Sequence, residues 1–323
     1  MRKNKYLRYI FGVAMWVSTI GALAQQYPTR PIRFIAPYVP GGGVDFVSRV
    51  IATKLSETIG QQVIVENRPG GGTNIGSELV ARAAPDGYTL LVGGVPNTVN
   101  QFLFKKLPYH VEKDFAPVTQ TTTAPNLLAV HPSLPVRSVK DLIALAKARP
   151  GELNYGAGSP GASNHLAAEL FNSMAKVSMV RIGYKGGGPA VLGLISGQTQ
   201  LMFATAASVK PHIDSGRLRA VAVTTASPSV LFPGLPTVAA SGLQGYEAQT
   251  IYGLFAPAKT SATVVSQLNK EVVSALARPD VKERLARSGA ESASSSPEVF
   301  GAIVRDDIAR WGKVIRDVGI RAE

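Results

Sequence analysis

Short apolar runs alternate along the chain with stretches of helical spacing. Ile32, Phe34, Ile35 and Ala36 close a run from residue 28 that predicts a first strand. Behind it, Phe46, Val47, Val50, Ile51 and Leu55 recur at three- and four-residue spacing, which lines one face of a helix over 45–59. Residues 63–65 read as a second strand, 74–83 as a helix and 89–92 as a third strand. The stretch 116–126 is rich in Thr and Pro and has no periodicity, and it reads as a crossover to a second unit. There, strands at 127–130, 153–155, 180–182, 201–203 and 220–224 are interleaved with helices at 139–147, 164–174 and 189–195, the first capped by Ser138. Around 246–256 the chain returns to the first unit and ends in helices at 264–277, 279–287 and 297–318, with Asp280 in a first turn where an acid is favoured.

This alternation predicts an α/β fold of mainly parallel sheets flanked by helices. Two crossovers predict two lobes joined by a hinge. Residues 25–120 with 251–323 form one lobe and 121–250 the other, with a ligand cleft at the strand C-terminal ends.

Four times a short apolar run passes through a glycine-rich turn into a helix start. The turns are Pro40-Gly41-Gly42-Gly43, Pro69-Gly70-Gly71-Gly72, Gly156-Ala157-Gly158-Ser159-Pro160-Gly161 and Gly186-Gly187-Gly188-Pro189. A helix start offers backbone N–H groups without internal partners and a partial positive charge. Glycines let a ligand approach that backbone closely. Several such turns around one cleft predict an anion site that needs no charged side chain. Asn97, Thr98 and Asn100, just past the third strand, are candidate side-chain donors, and Lys185 and Arg217 are candidate charge partners for a carboxylate.

The N-terminus adds a location. Arg2, Lys3, Lys5 and Arg8 precede an uncharged, mostly apolar run over 9–22, and Ala22-Leu23-Ala24 has the form of a cleavage site. This predicts a signal peptide at 1–24, removed near Ala24, and a mature protein in a bacterial periplasm. The chain has no cysteine, which excludes disulfides, thiolate metal sites and a cysteine nucleophile. Of the net charge of +13, four positive charges lie in the signal, leaving +9 spread without the dense basic runs of nucleic-acid modules.

Other chemistry is poorly supported. Residues 156–161 match the G-x-G-x-x-G spacing of a dinucleotide turn, but the strand that follows leads into Gly183, Tyr184 and Lys185 where an acid would be needed. No G-x-S-x-G elbow occurs, and none of the four histidines lies in a zinc motif. His165 and Glu169 are spaced to meet on one helix face. No cofactor or metal is expected.

An ordered set of motifs resembles the receptors of tripartite tricarboxylate transporters, the Bug-type solute-binding proteins. It comprises Pro37-Tyr38-Val39-Pro40-Gly41-Gly42-Gly43-Val44-Asp45, Val65-Glu66-Asn67-Arg68-Pro69-Gly70-Gly71-Gly72, Ala84-Pro85-Asp86-Gly87-Tyr88-Thr89-Leu90-Leu91, His165-Leu166-Ala167-Ala168-Glu169-Leu170-Phe171, Tyr184-Lys185-Gly186-Gly187 and Tyr252-Gly253-Leu254-Phe255-Ala256-Pro257. The resemblance implies a two-lobed periplasmic binding protein (type II-like), a monomeric receptor and not an enzyme, that closes on a small organic carboxylate, a di- or tricarboxylate or an aromatic carboxylate, and delivers it to membrane transporter subunits. It implies that two loops reach across the cleft. One carries Tyr38, Pro40, Gly41, Gly42, Gly43, Val44 and Asp45, and the other carries Gly158, Ser159, Gly161, Ala162, Ser163 and Asn164. Asp45 is assigned an ordering role, since an exposed acid would repel an anion. Where the family often places an aspartate after the 201–203 strand, this chain has Ala204, Thr205, Ala206 and Ala207. Thr205 is therefore a candidate contact in a less acidic pocket, suited to a longer aliphatic or an aromatic carboxylate. The alternatives are a secreted hydrolase of organic-acid esters and a ligand receptor for a periplasmic sensor.

Overall fold

The structure is a computed structural model and describes residues 27–321, so the expected signal peptide lies outside the described residues. The chain runs through β1 (Ile32–Ala36), α1 (Gly43–Ile59), β2 (Val63–Asn67), α2 (Asn74–Ala81), β3 (Thr89–Gly94), α3 (Val95–Leu103), α4 (Val111–Asp114) and β4 (Phe115–Val130). It continues through α5 (Val139–Ala148), β5 (Asn154–Ala157), α6 (Ser163–Ala175), β6 (Val180–Gly183), α7 (Gly187–Ile195), β7 (Leu201–Thr205), α8 (Ala206–Asp214) and β8 (Arg219–Val223). It ends with β9 (Gln249–Pro257), α9 (Ala262–Ala277), α10 (Pro279–Arg287), β10 (Glu291–Ser292) and α11 (Pro297–Val318).

The strands are ordered β2-β1-β3-β9-β4-β7-β5-β6, with β10 and β8 paired to β4 off this path. Three strands at each end, β2-β1-β3 and β7-β5-β6, are parallel, as the strand–helix alternation predicts. The middle is antiparallel: β9 pairs with β3 and β4, and β4 with β7 and β8, so the sheet as a whole is mixed.

The aperiodic crossover expected at 116–126 is in fact the first two-thirds of β4. Its Phe115–Pro125 part pairs with β9 in the first half of the sheet, and its Asn126–Val130 part pairs with β7 and β8 in the second. Most of the strand is buried on both faces, which erases the polar–apolar alternation that marks a strand with one wet face. Register shifts at Pro117–Thr119 and Gln120–Thr122 absorb the proline's missing donor and bend the strand.

The apolar face of α1 (Val47, Val50, Ile51, Leu55) packs with α9 and α10 against the first half. Each such side chain contributes about 1.5–3 kcal/mol by leaving water. Gly60, at φ +68°, ends α1 in the left-handed conformation. The core of the second half gathers Leu128, Tyr155, Leu166, Phe171 and Phe203, and it also takes in Val95, Val99 and Leu103 of α3 and Trp311 and Ile315 of α11. Six of the parallel strands run at their C-terminal ends into a helix: β1 into α1, β2 into α2, β3 into α3, β5 into α6, β6 into α7 and β7 into α8.

Candidate functional site

Those six switches converge on one cavity of about 450 Å³. Gly42, Gly43 and Val44 reach it from the start of α1, Gly70 to Thr73 from the approach to α2, and Val95 and Pro96 from α3. From the other half come Ala162, Ser163 and Asn164 at α6, Gly186, Gly187 and Gly188 at α7, and Thr205 and Ser208 at α8. Pro37, Tyr38, Val39, Met202, Thr250 and Tyr252 supply the rest of the wall with Pro69, Gly158, Ser159 and Lys185. Lys185 is the one charged side chain among these residues, and no carboxylate lines the space. The field in the cavity is therefore that of the helix N-termini together with the Lys185 ammonium, and both favour an anion.

Two close approaches need glycine. A Cβ on Gly43 would lie 3.1 Å from the Tyr252 hydroxyl and 3.6 Å from Thr205 Oγ1, so a side chain there would occupy the site. Gly186 has φ +145° and lies under Val39, whose Cγ2 would be 2.9 Å from an added Cβ. Val39 belongs to the 38–45 loop and Gly186 to the facing half, so the two sides of the cleft touch there.

The side chains behind the wall hold these loops. Asn164 Oδ1 accepts from Gly158 N at 3.2 Å, and Arg181 Nη2 donates to Gly158 O at 2.6 Å. His165 Nδ1 accepts from Gly161 N at 3.1 Å, and burial, helped by the charge of Arg181, holds the imidazole down to about 3. It is therefore neutral at physiological pH. Glu169 lies 3.9 Å from the other ring nitrogen and accepts from the Tyr155 hydroxyl.

Of the candidate residues, Tyr38, Gly42, Gly43, Val44, Gly158, Ser159, Ala162, Ser163, Asn164 and Thr205 line the cavity together. Pro40, Gly41, Asp45, Asn97 and Gly161 do not. Pro40 and Gly41 are exposed on the outer side of the turn. Asp45 faces inward behind the loop, where its carboxylate accepts from Gly41 N (3.1 Å), Arg49 Nε (3.0 Å) and Asn67 Nδ2 (3.0 Å). Burial would raise its pKa, but these bonds and the Arg49 charge outweigh burial and hold it below the ordinary carboxylate value. The carboxylate thus ties the loop to α1 and β2 from behind.

Asn97 is 3 % exposed and sits inside α3, a helix that the sequence pattern does not show. Its Oδ1 accepts from Tyr38 Oη and Gly94 N, both at 2.9 Å, and its Nδ2 donates to Ser77 Oγ at 2.7 Å. It thus positions Tyr38 and caps α3 rather than facing a ligand. Gly161, at φ +76°, is turned against Leu103 and Val99 of α3. Arg217 is not in the lining, whereas Lys185 is. Among the described residues, no group of three or more His, Asp or Glu side chains could hold a metal ion.

Sequence reasoning missed Tyr252, Thr250, Met202 and Ser208 as lining residues. Thr250 and Tyr252 come from β9, whose insertion beside β3 depends on long-range pairing that no local pattern encodes.

Comparison with known proteins shows the family and the fold. The family model described as "Tripartite tricarboxylate transporter family receptor" matches residues 47–320. Protein BugT of Bordetella pertussis (strain Tohama I) is 35% identical over 320 residues, covering 97% of this chain and 98% of its own. The solved structure of Rpa4515 from R. palustris with adipate superposes with a TM-score of 0.88 at 37% identity, covering 91% of this chain and 99% of the other. That of MatC (Rpa3494) from Rhodopseudomonas palustris with bound malate gives 0.84 at 31%, covering 90% and 100%.

Proposed function

Because the chain belongs to the receptor family of tripartite tricarboxylate transporters, with the two-lobed periplasmic-binding-protein fold, we propose that it captures a small organic carboxylate in the cleft and presents it to a membrane transporter. The observation that carries this reading is the convergence of six helix starts on a cavity with no carboxylate side chain. Adipate and malate in the two solved relatives support an acid ligand. The apolar wall of Val39, Val44, Val95, Met202 and Tyr252 favours an acid with an aliphatic or aromatic body over a compact, highly polar one.

In this mechanism the ligand's carboxylate is held by backbone N–H groups of the 42–44 turn on one side and of the 158–164 loop on the other. Residues 25–120 with 251–323 and residues 121–250 move as the two lobes about β4 and β9. Closure follows because a ligand bridging both loops makes more contacts in the closed state than in the open one. The protein works in the periplasm after loss of its signal peptide, as a monomer, and hands the loaded form to transporter subunits. The ligand leaves chemically unchanged.

The test is thermal stabilisation of the purified mature protein by a panel of aliphatic and aromatic acids, each paired with its amide. A ligand at 100 times its Kd adds about 2.7 kcal/mol. Stabilisation by an acid and not by its amide is expected. Equal stabilisation by both, or by no acid with ligand-free protein confirmed by native mass spectrometry, overturns the reading.

A further inference from the structure

We infer that Tyr252 is a ligand-contacting donor in the cleft: its hydroxyl hydrogen-bonds an acid oxygen of the ligand bound at the start of α1 and sets selectivity for that oxygen. This rests on the carboxylate reading above and adds a side chain to a site otherwise described by backbone groups.

The tyrosines of the fold carry the argument. Tyr27 donates to Gly87 O, Tyr38 to Asn97 Oδ1, Tyr109 to Asn74 Oδ1, Tyr155 to Glu169 and Tyr246 to Ala167 O. Tyr252 is 6 % exposed, yet its hydroxyl has no hydrogen-bond partner among the described residues. The oxygen is not one of the sealed, unpartnered atoms of the core: it opens to the cavity, where a ligand oxygen can accept from it. This hydroxyl borders the cavity, and the position of a Cβ on Gly43 lies 3.1 Å from it, so it points at the first turn of α1.

The neighbouring hydroxyls do not compete. Thr205 Oγ1 donates to Ser208 Oγ at 3.1 Å, and Ser208 Oγ donates to Thr205 O at 2.8 Å. Burial pushes the Tyr252 phenol well above its ordinary range, so it keeps its proton and offers a donor. A protonated donor beside helix N–H groups, with no carboxylate in the wall, selects an acceptor oxygen and disfavours an ammonium group at that end of the ligand.

The experiment titrates adipate, malate, succinate and benzoate into the wild type and into Tyr252→Phe by calorimetry, with Tyr38→Phe as the control. For the acids that the wild type binds, Tyr252→Phe is expected to weaken binding about ten- to a hundred-fold. Its ligand-free melting temperature should be unchanged or higher, because no protein bond is lost. Tyr38→Phe, which removes a bond to Asn97, should lower the ligand-free melting temperature instead. Binding to Tyr252→Phe within twofold of wild type, or a lowered melting temperature in the ligand-free variant, overturns the inference. A wild type that binds none of the four acids removes the carboxylate reading itself, and this inference with it.

Discussion

Asp307 on α11 offers a prediction whose size follows from its surroundings. The carboxylate is tucked behind the junction of β3 and β9, beside Gly93, Gly253 and Phe300, and Thr98 Oγ1 donates to it at 3.3 Å. Burial lifts it from an ordinary 3.8 to about 6, with Arg310, Thr98 and Trp311 pulling the other way. The folded state therefore holds this proton more tightly than the unfolded chain does. The stability it contributes is fully present below about pH 4 and is lost as pH rises through about 6. At about 1.4 kcal/mol for each tenfold step in affinity, the charged form costs about 3 kcal/mol by pH 8. Asp307→Asn keeps the shape and removes the charge. In urea unfolding, the variant should exceed the wild type by about 3 kcal/mol at pH 8, and this advantage should shrink by about 2 kcal/mol at pH 4.5. A constant offset between the two proteins across that range would refute the reasoning.

Three further outcomes are expected. Asn97→Ala strands the Gly94 N–H and the Tyr38 hydroxyl and should cost about 2–4 kcal/mol in denaturant unfolding; an unchanged midpoint would count against its capping role. Gly43→Val places branched carbons against the Tyr252 hydroxyl and should weaken acid binding at least about a hundred-fold in calorimetry, while circular dichroism stays native. Glu66, held down to about 2 chiefly by its two bonds from Arg33, contributes stability above about pH 4.5 that is lost as pH falls towards 2. Because the pair is partly exposed, Glu66→Gln should lower stability by no more than about 1 kcal/mol at pH 7 and flatten the acid limb, as acid titration would show.

The elements with one wet face were legible in the sequence. Periodicity located α10 and α11 to the residue and α1 and α6 within two residues, because each shows an apolar stripe against a polar one. Among the elements that escaped, three did so for different reasons. β4 is buried on both faces and contains Pro117 and Pro125, so it looks like a linker. α3 starts directly from β3, and its polar residues Asn97, Thr98 and Asn100 are buried, which inverts the usual meaning of polarity. α8 follows β7 without a connecting turn and carries Pro211 inside it. The candidate site was legible wherever glycine marked a strand-to-helix switch. It was illegible where a lining side chain came from β9, and misleading at Asn97, whose polarity serves the fold.

Trp311 and Ile315 of α11 belong to the same core cluster as Tyr155 and Phe203, and α11 reaches it through α3, β4 and α6, which has a consequence for assembly. The residues that finish the second half's core come from the last helix of the chain, and Val95 and Leu103 enter it from the opposite direction. A chain appearing from its N-terminus can pair β5, β6 and β7 and cover them with α6 early, but the sides of α3 and α6 that meet α11 stay open until α11 arrives. Folding is thus obliged to be cooperative across the whole length. A chain cut short before Trp311 would lose both a helix and the seal on a core whose strands lie far upstream.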